Sequence, residues 1–137
     1  MVLIIIDRLL KQLALHWPGE EKVKVFYWSL YLNPAGAFSW PWPRVVLLVI
    51  SGLILLSLII WLVITYQTSS TIIWLGLLLL ISGGLSNFYD RVVWNGVIDY
   101  WHIFQFNSFN LADGYLLVGL GCCFLGVKQH HHVGQNF

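Results

Sequence analysis

Charge is what this sequence most lacks: Asp, Glu, Lys and Arg together supply 9% of its 137 residues. Soluble domains carry about 25%, so an ordinary water-facing surface is excluded. No charged residue occurs from Val45 to Tyr89, a run of 45 residues. The net charge is +1 with no basic stretch, which removes the electrostatic footprint of a nucleic-acid binder. Cysteine is scarce as well. Cys122 and Cys123 are neighbours in an apolar stretch and lack zinc-like spacing to other Cys or His. Adjacent cysteines close at best a strained disulfide, so both read as packing residues. His130, His131 and His132 read as a solvated tail rather than a metal site.

What is present is apolar and aromatic: 58% hydrophobic residues, with eight Trp and six Tyr. Amphipathic rings of that kind settle at the membrane–water interface. A span takes about 20 helical residues to cross about 30 Å of hydrocarbon, so the uncharged run holds two spans with a turn between them at Gln67-Thr68-Ser69-Ser70. The patterning predicts a single all-α membrane domain over 1–137 with four transmembrane helices, at roughly 2–17, 45–66, 71–89 and 110–127. The first of these carries Asp7, Arg8 and Lys11. It does not read as a signal peptide, because no basic region precedes it and its unbroken apolar stretch is short. Asp7 and Lys11, at i and i+4, share a helix face and pair there. That fits either a half-buried amphipathic helix with a surface ion pair or a first span whose ionisable groups face the bundle interior. Its sixteen residues make a helix of about 24 Å, short for a full crossing. Between the first two helices, Val25–Leu32 is β-branched and aromatic and suits an interfacial strand. Asn33-Pro34-Ala35-Gly36 is a turn, and Trp40-Pro41-Trp42-Pro43 is a proline-broken knuckle. Arg91–Phe109 reads as a mixed aromatic and polar loop.

Three of the six acids, Asp90, Asp99 and Asp113, gather around the ends of these helices. Near the bilayer each costs on the order of 2.5–3.5 kcal/mol, so their grouping needs a reason. If the third span stays helical, Gly83, Asn87, Asp90 and Arg91 share one face, and Gly83-Gly84 leaves room for another backbone. Asn110 and Asp113 fit a capping box opening the last helix, where the dipole favours a carboxylate. Asp99 sits among apolar and aromatic neighbours that raise its pKa by desolvation. Two carboxylates in contrasting surroundings are what aspartic-protease chemistry requires, although a loop lies between them in the chain.

Three ordered blocks then match a known family. Gly83-Gly84-Leu85-Ser86-Asn87-Phe88-Tyr89-Asp90-Arg91 resembles the Gly-Gly-x-x-Asn-x-x-Asp-Arg signature of signal peptidase II. Val97-Ile98-Asp99-Tyr100 is similar to its Val-Val-Asp-Phe block, and Phe109-Asn110-Leu111-Ala112-Asp113 to its Phe-Asn-x-Ala-Asp block. Upstream, Asp7-Arg8-Leu9-Leu10-Lys11 resembles the family's Asp-x-x-x-Lys, and Asn33–Ser39 its Asn-x-Gly-x-Ala-Phe loop. Gly36 stands one place later than the family's loop glycine, and Gly114 replaces a more usual Ser.

The resemblance implies an intramembrane aspartic endopeptidase of the bacterial cytoplasmic (inner) membrane, multi-pass, with its active site and a small β-cradle on the extracytoplasmic side. Asp99 and Asp113 match the catalytic pair; Asn87, Arg91, Asn110, Asn33 and Asp90 match site-supporting or substrate-binding positions; Asp7 and Lys11 match a structural polar pair. The implied substrates are prolipoprotein signal peptides, cut on the N-terminal side of a diacylglyceryl-modified cysteine, with membrane lipids as surroundings. Neither metal nor organic cofactor is implied. Charge bias alone would point the other way: Lys22, Lys24, Arg44 and Arg91 flank the larger loops against only Lys128 opposite, and basic loops usually stay cytoplasmic. Two rivals differ in class. An inactive membrane scaffold has no need of both Asp99 and Asp113, and proton-coupled transporters usually show internal repeats with acids near mid-span.

Overall fold

A computed structural model describes residues 2–17, 19, 25–34, 42–66, 70–104 and 107–133, with side chains as far as Lys128. Among these residues four helices and a small sheet follow in the order α1 (Val2–His16), β1 (Phe26–Asn33), α2 (Arg44–Ile64), α3 (Thr71–Trp94), β2 (Val97–Ile103), β3 (Asn107–Phe109) and α4 (Leu111–Val133). The polar segment 20–24, the Ala35–Ser39 loop, the turn residues 67–69 and the His130–His132 side chains lie outside the described residues.

Arg44–Ile64, Thr71–Trp94 and Leu111–Lys128 are long and apolar enough to cross a membrane. In α2 only Leu55 is buried, so most of that apolar helix faces outward. The first helix has 15 residues, about 22 Å, and falls short of that length. Its charges nonetheless point inward, because Asp7 and Lys11 are both 0% exposed. The expected pair forms at 3.0 Å, and burial excludes the surface ion pair.

Helices α3 and α4 form the centre of the fold, packed antiparallel through small residues. A Cβ on Gly76 would lie 2.9 Å from the Gly119 carbonyl oxygen, and one on Gly119 would lie 2.8 Å from that of Gly76. Farther along, a Cβ on Gly83 would meet the Ala112 carbonyl, the close approach expected of the Gly83-Gly84 pair. Ala112, Gly119 and Gly126 recur every seven residues on α4, and small residues of this kind let membrane helices approach at the backbone. Ile73, Leu77, Leu80 and Cys123 fill the interval as the apolar core. Both cysteines are free thiols. Gly76→Val should therefore part the two helices and lower stability by about 1–3 kcal/mol, the usual cost of overpacking. Thermal unfolding in detergent checks this against Gly121→Ala, where an added Cβ has nothing within 4 Å and the midpoint should not fall.

The region expected as a loop is partly regular. Helix α3 continues past Tyr89 to Trp94, because the charges that end the apolar run are held inside the fold and nothing before Asn95 breaks the helix. Asn95 closes it in the left-handed conformation, φ 62°, as a helix C-terminus commonly does. Gly96 follows, where a Cβ would lie 2.9 Å from the Asn33 carbonyl oxygen. The chain then returns as a hairpin, giving an antiparallel three-stranded sheet in the order β1-β2-β3. Tyr31 pairs with Asp99 and Trp28 with Trp101, with an irregularity between them. The expected strand at Val25–Leu32 is thus β1, and its partners come from the stretch expected as a mixed aromatic and polar loop.

Candidate active site

Two layers of polar side chains meet where α1, α3, α4 and the sheet converge. The deeper layer starts on α1. Lys11 Nζ, fully buried, lies 3.0 Å from Asp7 Oδ2 and 2.7 Å from Asp90 Oδ2. It also donates to Asn87 Oδ1 at 2.8 Å. Arg8 Nη1 takes the other oxygen of Asp90 at 2.5 Å, with its guanidinium 4.8 Å from the centre of the Tyr89 ring. Two buried acids thus face two cations. Asp7 also accepts from Ser86 Oγ and from the Ala112 N–H at 3.1 Å, which ties α1 to the start of α4. Asp90 accepts from the Ile98 N–H at 3.2 Å, which fixes β2 one residue before Asp99.

The upper layer holds the two aspartates. Asn110 and Asp113 form the expected capping box: the Asn110 N–H donates to Asp113 Oδ2 at 3.1 Å, and the Asp113 N–H donates to Asn110 Oδ1 at 3.0 Å. The Asn110 amide does more than cap. Its Nδ2 reaches Asp99 Oδ1 at 2.7 Å, the Ile98 carbonyl at 3.2 Å and Asn87 Oδ1 at 3.2 Å. Asn87 Nδ2 donates to Asp113 Oδ1 at 2.8 Å. Asn110 is therefore bonded to both carboxylates, and Asn87 links them to Lys11 below.

Asp99 is 2% exposed. Asn33 Nδ2 and Ser108 Oγ each donate to its Oδ2 at 3.1 Å. Burial pushes the Asp99 carboxyl above the usual carboxylate range, and the charge of Asp113 adds to it; the bonds from Asn33, Asn110 and Ser108 pull the other way. Beside them Tyr100, wholly buried against Trp28, accepts the Leu111 N–H at 2.9 Å through its hydroxyl. Its ionisation is pushed up, first by burial, so it serves as a neutral support for the start of α4.

Of the residues singled out in the sequence, Asp99, Asp113, Asn87, Asn110 and Asn33 come together. Arg91 borders them, donating to the Asn87 carbonyl at 3.3 Å, while Asp90 turns away into the ionic layer with Asp7 and Lys11. Arg8, Ser86, Tyr100 and Ser108 were not foreseen. Arg8 lies at a variable position of the Asp-x-x-x-Lys motif, and only its charge in an apolar helix could have flagged it. Among the described residues no cluster of His, Cys, Asp and Glu is arranged to hold a metal ion. The arrangement suits acid–base work by two carboxyl groups that cannot both shed their protons freely.

Comparison with known proteins bears on what that work is. A family described as Signal peptidase (SPase) II matches residues 1–128. The chain is 35% identical over 133 residues to a lipoprotein signal peptidase of Coxiella burnetii (strain RSA 493 / Nine Mile phase I), covering 88% of this chain and 81% of that one. It is 32% identical over 126 residues to one from Clostridium novyi (strain NT), covering 85% of each. In fold it is similar to a bacterial membrane enzyme solved by the in meso method, with TM-score 0.77 and 22% identity over 93% of this chain and 84% of that one.

Proposed function

The chain belongs to the signal peptidase II family, and from that premise we propose that Asp99 and Asp113 are the catalytic pair with which it acts. It is an aspartic endopeptidase that removes the signal peptide from prolipoproteins. The observation that carries the assignment is Asn110, whose side chain and backbone bond both carboxyl groups. The pair shares a proton. The ionised member takes a proton from water, and the protonated member hydrogen-bonds the scissile carbonyl and then protonates the leaving amine. Because the two groups titrate together, the proton belongs to the pair. Cleavage falls on the N-terminal side of the diacylglyceryl cysteine. The test is purified chain in lipid nanodiscs, offered one precursor with and without the diacylglyceryl group, with products read by mass spectrometry. A mature product beginning at the lipidated cysteine supports the reading; no cut, or a cut elsewhere, overturns it.

The whole chain is a single peptidase domain with four spans, α1 included, lying in the bacterial cytoplasmic membrane among its lipids. The sheet and both aspartates lie on the extracytoplasmic side. Burial of the α1 charges supports its insertion, since an intramembrane ion pair is kept only where it faces protein. The charge bias of the loops opposes this orientation. In a Cys122→Ala, Cys123→Ala background, Val25→Cys beside the sheet should react with an impermeant maleimide in intact cells. Tyr66→Cys at the far end of α2 should react only after permeabilisation. The reverse pattern would mean that the charge bias sets the topology.

Arg91 separates anchoring from chemistry. As a snorkelling anchor it would be replaceable by Lys. As a planar donor beside the aspartates it holds the Asn87 carbonyl and keeps further N–H groups for a substrate carbonyl, a geometry an ammonium does not reproduce. Arg91→Lys should accumulate in the membrane normally yet cleave about ten- to a hundredfold more slowly below saturation, the loss of one charged hydrogen bond in the transition state. Equal rates would return Arg91 to anchoring.

A further inference from the structure

Among the described residues Asp99 is held by three donors that are not equivalent. Asn33 and Ser108 share its Oδ2 at 3.1 Å each, and Asn110 Nδ2 takes its Oδ1 at 2.7 Å. An amide NH2 group only donates, whereas a hydroxyl donates or accepts. A carboxyl pair that shares a proton needs Asp99 to exist in both forms during turnover. We propose that Ser108 is a positioning residue for the reaction: its hydroxyl donates to Oδ2 while Asp99 is ionised and rotates to accept when Asp99 carries the proton, until the scissile carbonyl of a bound precursor takes that hydrogen bond. The other two present amide nitrogens, which only donate, so among these three contacts Ser108 is the one whose contacting atom both donates and accepts. The inference rests on the reading of Asp99 as catalytic.

Ser108 precedes the Phe109–Asp113 block, outside the motif that carries the family resemblance. Strand β3 pairs it with His102 of β2 and holds it over Asp99, half-buried. The charged and titratable groups around Asp99 come from every neighbouring element. They are Asp113 of α4, Arg91 and Asp90 of α3, and Tyr31 opposite in β1. Asp7, Arg8 and Lys11 of α1 stand behind Asn87 and Asp90, and Tyr100 and His102 lie on the same strand. None of these is a donor to Asp99 among the described contacts, so removing the Ser108 hydroxyl takes one of the three donors described for it.

The experiment compares Ser108→Ala and Ser108→Thr with wild type on a lipidated precursor, across pH, with Asp99→Asn as control. Ser108→Ala should lower kcat about tenfold and leave KM unchanged. It should also move the acid limb of kcat upward, because in the substrate complex the hydroxyl supports only the ionised carboxylate, which binds its proton more tightly once that donor is lost. Ser108→Thr keeps the hydroxyl and should restore both. A Ser108→Ala profile superimposed on wild type, or a Ser108→Thr variant as slow as Ser108→Ala, overturns the inference. An inactive Asp99→Asn beside a wild-type-like Ser108→Ala overturns the role of Ser108 alone. Substantial cleavage by Asp99→Asn overturns the assignment of the pair beneath it.

Discussion

Replacing either Asp99 or Asp113 with Asn should lower the cleavage rate of a lipidated precursor by at least about 10³-fold, the scale of loss when one member of a catalytic unit is removed. The substitution preserves size but turns one acceptor into a donor. At Asp99 that new NH2 group must face either Asn110 Nδ2 or Asn33 Nδ2, the second beside a Ser108 hydroxyl that can turn to accept. At Asp113 it must face the Asn110 N–H or Asn87 Nδ2. A buried donor left against donors costs about 1–3 kcal/mol, so some loss of stability accompanies the chemistry. Thermal unfolding in detergent separates the two effects: a folded, membrane-inserted variant without turnover assigns the loss to catalysis. A single variant that cleaves at near the wild-type rate would remove that aspartate from the mechanism.

Lys11→Met should be the most damaging change away from the aspartates. Lys11 is 0% exposed and bonds Asp7, Asp90 and Asn87. Met nearly matches its stem but leaves Asp90 with Arg8 and Asp7 with no cation among the described residues. Breaking a buried ion pair by deleting one partner costs about 3–5 kcal/mol, whereas replacing the whole set with uncharged groups is often nearly neutral. The expected result is a large fall in the unfolding midpoint for Lys11→Met, and recovery of much of it when Asp7→Asn is added, which leaves Arg8 and Asp90 as an intact pair. A Lys11→Met midpoint equal to wild type would mean that the ionic layer does not hold α1 against α3.

The parts of this site that were legible in the sequence are those whose geometry is local or whose order is distinctive. Asp7 and Lys11 lie one helical turn apart, and the Asn110–Asp113 capping box spans three residues, so spacing alone gave both contacts. Gly83-Gly84 announced a close approach without naming Ala112 as what would approach. That Asp99 and Asp113 share Asn110 is anticipated only by the three ordered blocks, since spacing across the intervening hairpin says nothing of distance. The hairpin itself was missed because β2 and β3 carry Asp, His, Asn and Ser, and their pairing depends on β1 from far upstream. The end of α3 was placed too early because the charges at Asp90 and Arg91 resemble the edge of a span. Asp90 is instead neutralised by Arg8 and Lys11, some eighty residues away in sequence. Long-range compensation of that kind leaves no periodicity to read.

The central claim is that Asp99 and Asp113, joined through Asn110, work as one unit. Its most direct test is single-turnover cleavage of one lipidated precursor by wild type, Asp99→Asn, Asp113→Asn and the double variant in the same bilayer. Residues that act together are strongly non-additive, so the three variants should share one residual rate to within about threefold. Losses that multiply in the double variant, or a single variant retaining about a tenth of the wild-type rate or more, would contradict it.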